Sequence, residues 1–310
     1  MRTNKAGRII ADRGSLFVRS PRKYEALLAH PCVKEWSQVG LSSDGTRTVY
    51  LKALHWLTRD LGLSAEDLLK GDEKQIERNI MAVAARFRDS GKSATAIQIQ
   101  SAAKSFLEFH DRKISFAKQK IKRIRKKITI ELIPTKPQIY AMAASGSLRN
   151  RALILCLFQS GVRVNCISRW KIGLIRSQLF PEIHAPLTIK VTAELDRKIA
   201  SYGLDFYPAF LQIEAAQALR AYLTSRFPQG ELEAGTHDSE YVFAPDAPQK
   251  RNPYLDPAQI LTNTKRAAER IGLDRKTVWT HCLRKSFRKV LNNANPPFDL
   301  DTVEALQGHL

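Results

Sequence analysis

The longest uninterrupted apolar run in this 310-residue chain, residues 152–158, has only seven residues. A helix that crosses a bilayer needs about 20 consecutive apolar residues, so the sequence predicts no membrane span. Hydrophobic residues nevertheless make up 44% of the chain, which is enough to build cores for folded domains. At roughly 150 residues per domain, we expect about two. The basic residues 1–8 are followed by no apolar core or cleavage site, so no export signal is expected.

The cysteines are few and scattered: Cys32, Cys156, Cys166 and Cys282. They form no C-x-x-C pair, which argues against a structural zinc site and against a disulfide framework. Reduced thiols of this kind fit the cytosol. We therefore expect a cytoplasmic protein, associated with the nucleoid if its partner is DNA.

The charge of the chain is strongly positive, with 50 Lys and Arg against 30 Asp and Glu and a net charge of +20. A protein this basic repels itself unless a polyanion supplies counter-charge, so double-stranded DNA is the first partner to expect. Seven bases and one acid lie within residues 1–24. We interpret residues 1–29 as a basic N-terminal arm.

A second basic segment, residues 118–127, holds seven bases and no acid. We predict a basic linker over residues 117–133, long enough for two domains to lie on opposite sides of a duplex. The alternative is a solvated helix between domains. The predicted phosphate contacts of this linker are Lys118, Lys120, Lys122, Arg123, Arg125, Lys126 and Lys127.

The region between the arm and the linker, residues 30–116, is predicted to be an all-helical domain that binds DNA. Ser64 and Asp67 form a capping signal at the start of one helix. A later helix has apolar positions spaced at i, i+3, i+4, i+7 and i+11. Its expected buried residues are Ile99, Ala102, Ala103, Phe106 and His110.

A second domain is predicted over residues 134–310, because Pro134 and Pro137 mark a boundary and the signals then become mixed. Alternation at Leu187, Ile189 and Val191 indicates one strand, and a second is predicted over residues 199–206. The remaining patterns indicate helices at about residues 148–159, 213–227, 256–272, 281–292 and 301–307. The predicted fold class is mainly α with a small β-sheet.

Three short motifs carry the residues able to do chemistry. Gly161 ends an apolar helix and delivers Arg163 into a turn. His281 and Arg284, three residues apart, share one helical face, so one phosphate could touch both. Gly308 breaks the last helix and precedes His309. Taken singly, each of these residues is also compatible with an ordinary structural role.

Two arginines and two histidines are the set that phosphodiester transfer without a metal needs. Guanidinium groups spread over the non-bridging oxygens as charge builds, and imidazoles move protons or donate hydrogen bonds. A metal-dependent nuclease would need clustered carboxylates, and the sequence offers no convincing set. No metal or nucleotide cofactor is therefore expected.

In order and spacing, these motifs resemble the tyrosine recombinase (phage integrase) family. Ser-Gly-Val-Arg163 resembles its first arginine box, His281-x-x-Arg284 its His-x-x-Arg box, and Gly-His309 the Gly-His that follows. The resemblance extends from about residue 30 to the end. It implies a helical, SAM-like core-binding domain followed by a mixed α/β catalytic domain.

The resemblance also implies roles for individual residues. Arg163 and Arg284 would clamp the scissile phosphate, His281 would accept the proton of the nucleophile, and His309 would hydrogen-bond a non-bridging oxygen. The family uses a hairpin lysine as general acid for the departing 5′ oxygen. Lys198, near the presumed turn, is preferred over Lys190, and the choice between them stays open.

The sequence departs from the family pattern at two places. The position three after the first arginine is usually acidic in the family but is Cys166 here, so we expect weaker support for Arg163. The family's nucleophilic tyrosine follows the Gly-His by roughly nine residues, and all eight tyrosines of this sequence precede His281. Truncation of the reading frame is favoured. Donation of a tyrosine by another subunit and a degenerate DNA binder are the alternatives.

The leading hypothesis is a site-specific DNA recombinase or integrase of a mobile genetic element. It would work through a 3′-phosphotyrosyl intermediate and assemble as a tetramer on DNA, and the 310-residue form would not cleave in cis. A non-catalytic DNA-binding remnant that regulates exchange is the second hypothesis. A basic protein of the membrane surface is a third, in which the three motifs have no role.

Overall fold

The computed structural model describes residues 24–41, 43–116, 130–196, 199, 203–245 and 253–308. It divides into two compact units, Met1–Lys126 and Lys127–Leu310, each with its own hydrophobic core. Several predicted functional residues lie outside the described residues. They are most of the N-terminal arm, the seven linker bases, Lys198 and His309.

Every regular element described in the first unit is helical. Its helices are α1 (Glu25–Leu28), α2 (Pro31–Glu35), α3 (Asp44–Leu61), α4 (Ala65–Lys70), α5 (Glu73–Asp89) and α6 (Ser93–Phe109), with a π-helical turn at Trp36–Gly40. The predicted capping signal is present, since the Ser64 hydroxyl accepts from the Asp67 amide while the Asp67 carboxylate accepts from the Ser64 amide. Local sequence therefore determines where α4 begins.

The core of the first unit contains Ile99, Ala102, Ala103 and Phe106, which are fully buried as predicted. The prediction for His110 was wrong, because α6 ends at Phe109 and the His110 ring is only half-buried, 3.1 Å from the carbonyl oxygen of Cys32. The helical unit also begins earlier than residue 30, with Tyr24 and Leu27 buried in it.

The second unit is mostly helical and has two strands among its described residues. The helices are α7 (Lys136–Ala144), α8 (Leu148–Ser160), α9 (Val164–Ile167), α10 (Arg176–Leu179), α11 (Ile213–Thr224), α12 (Gln229–Ala234), α13 (Pro257–Arg270), α14 (Thr280–Asn292) and α15 (Leu300–Leu306), with a 3₁₀ turn at Ile172–Leu174. Helix α8 packs against α7, α11 and α14. This explains the apolar run at residues 152–158, because a helix surrounded on all sides is apolar all round.

The two strands, β1 (Leu187–Thr192) and β2 (Phe206–Leu211), form one antiparallel sheet in which Val191 lies opposite Tyr207. The fold class, mainly α with a small sheet, is confirmed. The prediction of a second strand over residues 199–206 was wrong. Gly203 has a φ of +69°, which belongs to a turn, and the strand follows it. Pro208 lies inside β2, where a proline is tolerated because, among the described residues, β2 pairs only with β1.

The part of the chain that the structure describes contains no helix long and apolar enough to cross a membrane.

Candidate active site

The first arginine motif is shaped by a glycine at the end of α8. Gly161 has a φ of +60°, the left-handed conformation that favours glycine. The Phe287 ring of α14 also lies so close that a Cβ at residue 161 would be 2.3 Å from it. Both constraints select glycine, and the turn they enforce places Arg163 at the N-terminal boundary of α9.

The Arg163 guanidinium is held by two contacts. Its Nη1 donates to the carboxylate of Asp196, which is only 7% exposed, and its Nη2 lies 3.4 Å from the carbonyl oxygen of Gly308. We expected weaker support for Arg163 because Cys166 replaces an acidic residue. The structure instead supplies a carboxylate from another part of the chain, that of Asp196. The Cys166 thiol is itself buried, and this burial raises its pKa to about 12.

The second arginine, Arg284, lies deep inside the unit at 3% exposure. Its Nη1 donates to the carbonyl oxygen of Gly161 at 2.6 Å, and its Nη2 donates to the carbonyl oxygen of Gln307. The Gln307 amide donates back to the Arg284 carbonyl oxygen at 3.2 Å. Burial lowers the Arg284 pKa, and the positive charge of Arg163 lowers it further. The two guanidinium groups thus lie within electrostatic range of each other.

The segment after α15 completes the arginine cluster. Gln307 and Gly308 each offer a carbonyl oxygen to one of the two arginines. Gly308 has a φ of +60°, and a Cβ there would lie 2.4 Å from the ring of Tyr207. The residue before His309 is therefore fixed beside the Arg163 guanidinium, although His309 itself lies outside the described residues.

Two residues of this cluster, Asp196 and Tyr207, were not among the predicted site residues. Tyr207 points from the buried face of β2, and burial raises its pKa above the usual range, with the charge of Asp196 also raising it and Arg284 and Arg163 lowering it. Neither residue belongs to a sequence motif that predicts a site. The only available signal was that Asp196 lies two positions before Lys198.

The other predicted residues are placed differently. His281 lies in the first turn of α14 and is exposed, whereas Arg284 on the same helix is buried. Lys190 points from the exposed face of β1, with its Nζ 5.2 Å from the ring centroid of Phe206. Because side chains alternate along a strand, Lys190 is directed away from the face that carries Tyr207.

The charges of the described cluster favour an anion. Two guanidinium groups face one carboxylate, so the cluster carries a net positive charge at neutral pH. The described residues contain no group of three His, Cys, Asp or Glu placed to hold a metal ion. Donors of this kind suit a phosphate, which accepts several charge-assisted hydrogen bonds at once.

Solved structures of known proteins share this architecture. A lambda integrase tetramer bound to a Holliday junction superposes with a TM-score of 0.58 at 15% identity, covering 91% of this chain and 77% of that one. The chain has the tyrosine recombinase fold. The XerH site-specific recombinase in a pre-cleavage complex with its difH substrate gives a TM-score of 0.55 at 19% identity, covering 89% and 75% of the two chains.

A third structure with the tyrosine recombinase fold is the Tn1549 transposon integrase in complex with transposon right end DNA. It gives a TM-score of 0.56 at 14% identity and covers 92% of this chain and 91% of that one. No family model matches the sequence, and no curated protein matches it. The likeness is therefore one of fold, and it extends over about nine tenths of this chain.

Proposed function

We propose that this protein is a tyrosine-type site-specific recombinase or integrase that breaks and rejoins duplex DNA. The observation that carries the proposal is the convergence of Arg163 and Arg284 in one cluster with the backbone of Gln307 and Gly308. Three motifs distant in the chain thus meet in one cluster, which in this proposal binds the scissile phosphate. The solved structures with this fold include complexes with a Holliday junction, with difH and with transposon end DNA.

The proposed reaction uses no metal. A tyrosine oxygen attacks a DNA phosphorus, the bond from phosphorus to the 5′ oxygen breaks, and a 3′-phosphotyrosyl ester forms. Arg163 and Arg284 share the negative charge that builds on the non-bridging oxygens. His281 accepts the tyrosine proton, Lys198 gives a proton to the departing 5′ oxygen, and His309 donates to a non-bridging oxygen. Attack by another 5′ hydroxyl reverses these steps.

The distribution of charge supports DNA as the partner. Residues 1–23 carry seven bases and one acid, and residues 117–129 carry seven bases and no acid. These two segments hold 13 of the 20 net positive charges, whereas residues 24–116 have 13 bases and 12 acids. The general attraction to phosphate therefore resides mainly in the arm and the linker, which flank a helical unit of nearly neutral composition.

A rejoining assay tests the proposal without requiring a tyrosine from the protein. A duplex that the chain itself selects from a random-sequence pool is rebuilt with a nick, whose 3′ end carries a 4-nitrophenyl phosphodiester and whose 5′ end is a hydroxyl. The 5′ oxygen attacks the phosphorus, the bond to the aryl oxygen breaks, and nitrophenolate leaves while the hydroxyl proton passes to a base. This reproduces the second half of recombination, with nitrophenolate in place of the tyrosine.

We expect the 310-residue chain to release nitrophenolate and to produce a sealed strand in EDTA. The Arg163→Ala chain should bind the same duplex but rejoin it at least about 10²-fold more slowly, as expected when one donor to a developing oxyanion is lost. A requirement for a divalent metal would contradict the proposal. A version extended beyond Leu310 to include a tyrosine should in addition form a covalent adduct with a nicked duplex.

A second candidate function is a non-catalytic DNA-binding regulator of recombination. The observation that favours it is that the arm and the linker hold 13 of the 20 net positive charges, which supports DNA binding without any chemical step. The same assay separates the two functions. Tight binding to the selected duplex without any rejoining would support the regulator.

We also propose self-association on DNA in the nucleoid. The lambda integrase in one of the similar structures is a tetramer on its junction. Mass measurement of the chain alone and on its selected duplex tests this, and one copy per duplex at every concentration would contradict it.

A further inference from the structure

Asp196 occupies an ordered turn directly after β1. The carbonyl oxygen of Thr192, the last residue of the strand, accepts hydrogen bonds from the amides of Leu195 at 3.0 Å and Asp196 at 2.9 Å. The carbonyl oxygen of Asp196 then accepts from the amide of Ile199 at 3.0 Å. Backbone hydrogen bonds thus hold Asp196 in the turn, and its side chain is buried in the second unit.

A second contact holds the same turn against the segment that carries Arg163. Arg169, which follows α9, donates from Nη1 to the carbonyl oxygen of Glu194 at 3.1 Å. Two arginines six residues apart therefore both bind the turn at residues 194–196. The position of the Asp196 carboxylate relative to α9 is fixed by this pair of contacts.

The Asp196 carboxylate also reduces the electrostatic repulsion between Arg163 and Arg284. Arg163 lies close enough to Arg284 for its charge to lower the Arg284 pKa, so the two guanidinium groups repel each other in a poorly hydrated site. The carboxylate that accepts from Nη1 of Arg163 offsets that repulsion, and its charge also raises the Arg284 pKa. The contacts with Asp196 and Gly308 occupy one N–H on each terminal nitrogen. An arginine has five N–H donors, so three remain for a substrate.

We propose that Asp196 is a positioning residue, which fixes the Arg163 guanidinium so that its remaining donors face the same phosphate as Arg284. The inference rests on the proposed function, since the phosphate is that of the scissile DNA bond. Without the carboxylate, Arg163 keeps only its 3.4 Å contact with the Gly308 carbonyl oxygen among the described residues, and we expect its guanidinium to rotate away from Arg284. We expect the loss of Asp196 to cost about 10- to 100-fold in activity, by analogy with residues that orient the ligands of a metal ion.

A competing role predicts the opposite result. If Asp196 only neutralised Arg163, it would compete with the phosphate, and removal of its charge would speed the reaction. Asp196→Asn keeps an oxygen that can accept from Nη1 but loses the charge, and Asp196→Ala loses both. The matched control is Glu194→Gln, which removes one negative charge two residues away from an exposed side chain.

The relocation variant Cys166→Asp/Asp196→Ser is the sharpest probe. Cys166 is 1% exposed and lies within electrostatic range of Asp196, Arg163 and Arg284. A carboxylate at residue 166 therefore approaches Arg163 from a different backbone position. Recovery of activity in this variant would show that Arg163 needs a fixed carboxylate rather than Asp196 as a structural part of the turn.

The experiment applies the nitrophenyl rejoining assay to the 310-residue chain, with affinity for the duplex and thermal midpoint measured in parallel. We expect Asp196→Ala to slow rejoining by about 10- to 100-fold with unchanged affinity, Asp196→Asn to lie between it and wild type, and the relocation variant to regain at least half of the loss on a logarithmic scale. Glu194→Gln should match wild type. An unchanged or faster Asp196→Asn would overturn the inference, as would a stably folded relocation variant without recovery.

A second readout does not depend on the reaction. In ¹⁵N-arginine-labelled chain without DNA, the Arg163 ion pair should slow rotation about the bond from Cζ to Nη, giving separate Nη signals in wild type and in the relocation variant. These signals should merge in Asp196→Ala. Identical averaged signals in wild type and Asp196→Ala would reject the positioning role. Failure of wild type in the rejoining assay, with separate Nη signals, would instead reject the proposed reaction.

Discussion

Arg284 donates a hydrogen bond from Nη1 to the carbonyl oxygen of Gly161 at 2.6 Å, which joins two motifs that lie 123 residues apart in the chain. The left-handed φ of Gly161 aims this carbonyl at the guanidinium, and the same turn delivers Arg163 two residues later. The backbone conformation of Gly161 therefore orients Arg284 and also determines the position of Arg163. Gly161 should accordingly be sensitive to substitution in both stability and activity.

We predict that Gly161→Ala destabilises the second unit by about 2–5 kcal/mol, combining the cost of a left-handed alanine with overpacking against Phe287. Urea unfolding measures this destabilisation. The control is Gly272→Ala, which has a φ of +81° but open space around its Cβ and should cost only about 1–2 kcal/mol. Equal destabilisation at the two glycines would mean that the proximity of Phe287 is unimportant.

His281 should matter in proportion to the basicity of the leaving group. In rejoining, His281 returns a proton to the departing aryl oxygen, and this help counts most for a poor leaving group. We expect His281→Gln to slow rejoining about 10²-fold or more with a phenyl ester and much less with a nitrophenyl ester. His184→Gln, at another exposed histidine, is the control. The same slowing with both esters would rule out proton transfer by His281.

The features that the sequence predicted correctly are encoded locally. The glycine that ends α8, the Ser64 capping box and the limits of α14 each depend on residues within one or two helical turns. Such signals need no knowledge of the rest of the chain, because the hydrogen bonds involved close within three or four residues. The three motifs could therefore be located before the fold was known.

The features that were missed depend on pairing across the chain. The position of β2 is set by its register with β1. Local composition alone placed the predicted strand too early, over the turn at Gly203. Asp196 is buried because Arg163, 33 residues earlier, folds against it. Asp196 lies in a stretch of mixed charge with Glu194 and Lys198 that matches no site motif, so its place in the site follows only from the tertiary structure.

His237 makes stability depend on pH. Its ring stacks on Phe227 with centroids 3.9 Å apart, and its two nitrogens lie 2.8 Å from carboxylate oxygens of Glu231 and Glu240. The hydrogen bonds to Glu231 and then to Glu240 raise the His237 pKa. Because the His237 pKa is higher in the folded state, protonation of the ring stabilises that state. The stabilisation is complete at pH values below the unfolded-state pKa of about 6.5. This contribution disappears as the pH rises through the higher folded value.

We therefore expect His237→Gln to lower the free energy of unfolding more at about pH 6 than at about pH 9, on either side of the ordinary histidine range. Urea unfolding at both values measures the difference. An equal decrease at both values would mean that the protonated ring makes no extra contribution.

The basic linker should set the salt dependence of DNA binding. Each phosphate that a lysine or arginine neutralises releases counterions, so the slope of log affinity against log salt changes by about 0.9 per neutralised phosphate. The variant Lys118→Gln/Lys120→Gln/Lys122→Gln should therefore flatten the slope by about 0.9 for each of the three lysines that binds a phosphate in the wild type.

The control Lys70→Gln/Lys74→Gln/Lys104→Gln removes the same charge from exposed positions of the first unit, whose composition is nearly neutral. Titration of the selected duplex at several salt concentrations gives both slopes. A slope that falls equally in the two variants would assign the effect to overall charge, and an unchanged slope in the linker variant would show that these lysines do not bind the DNA backbone.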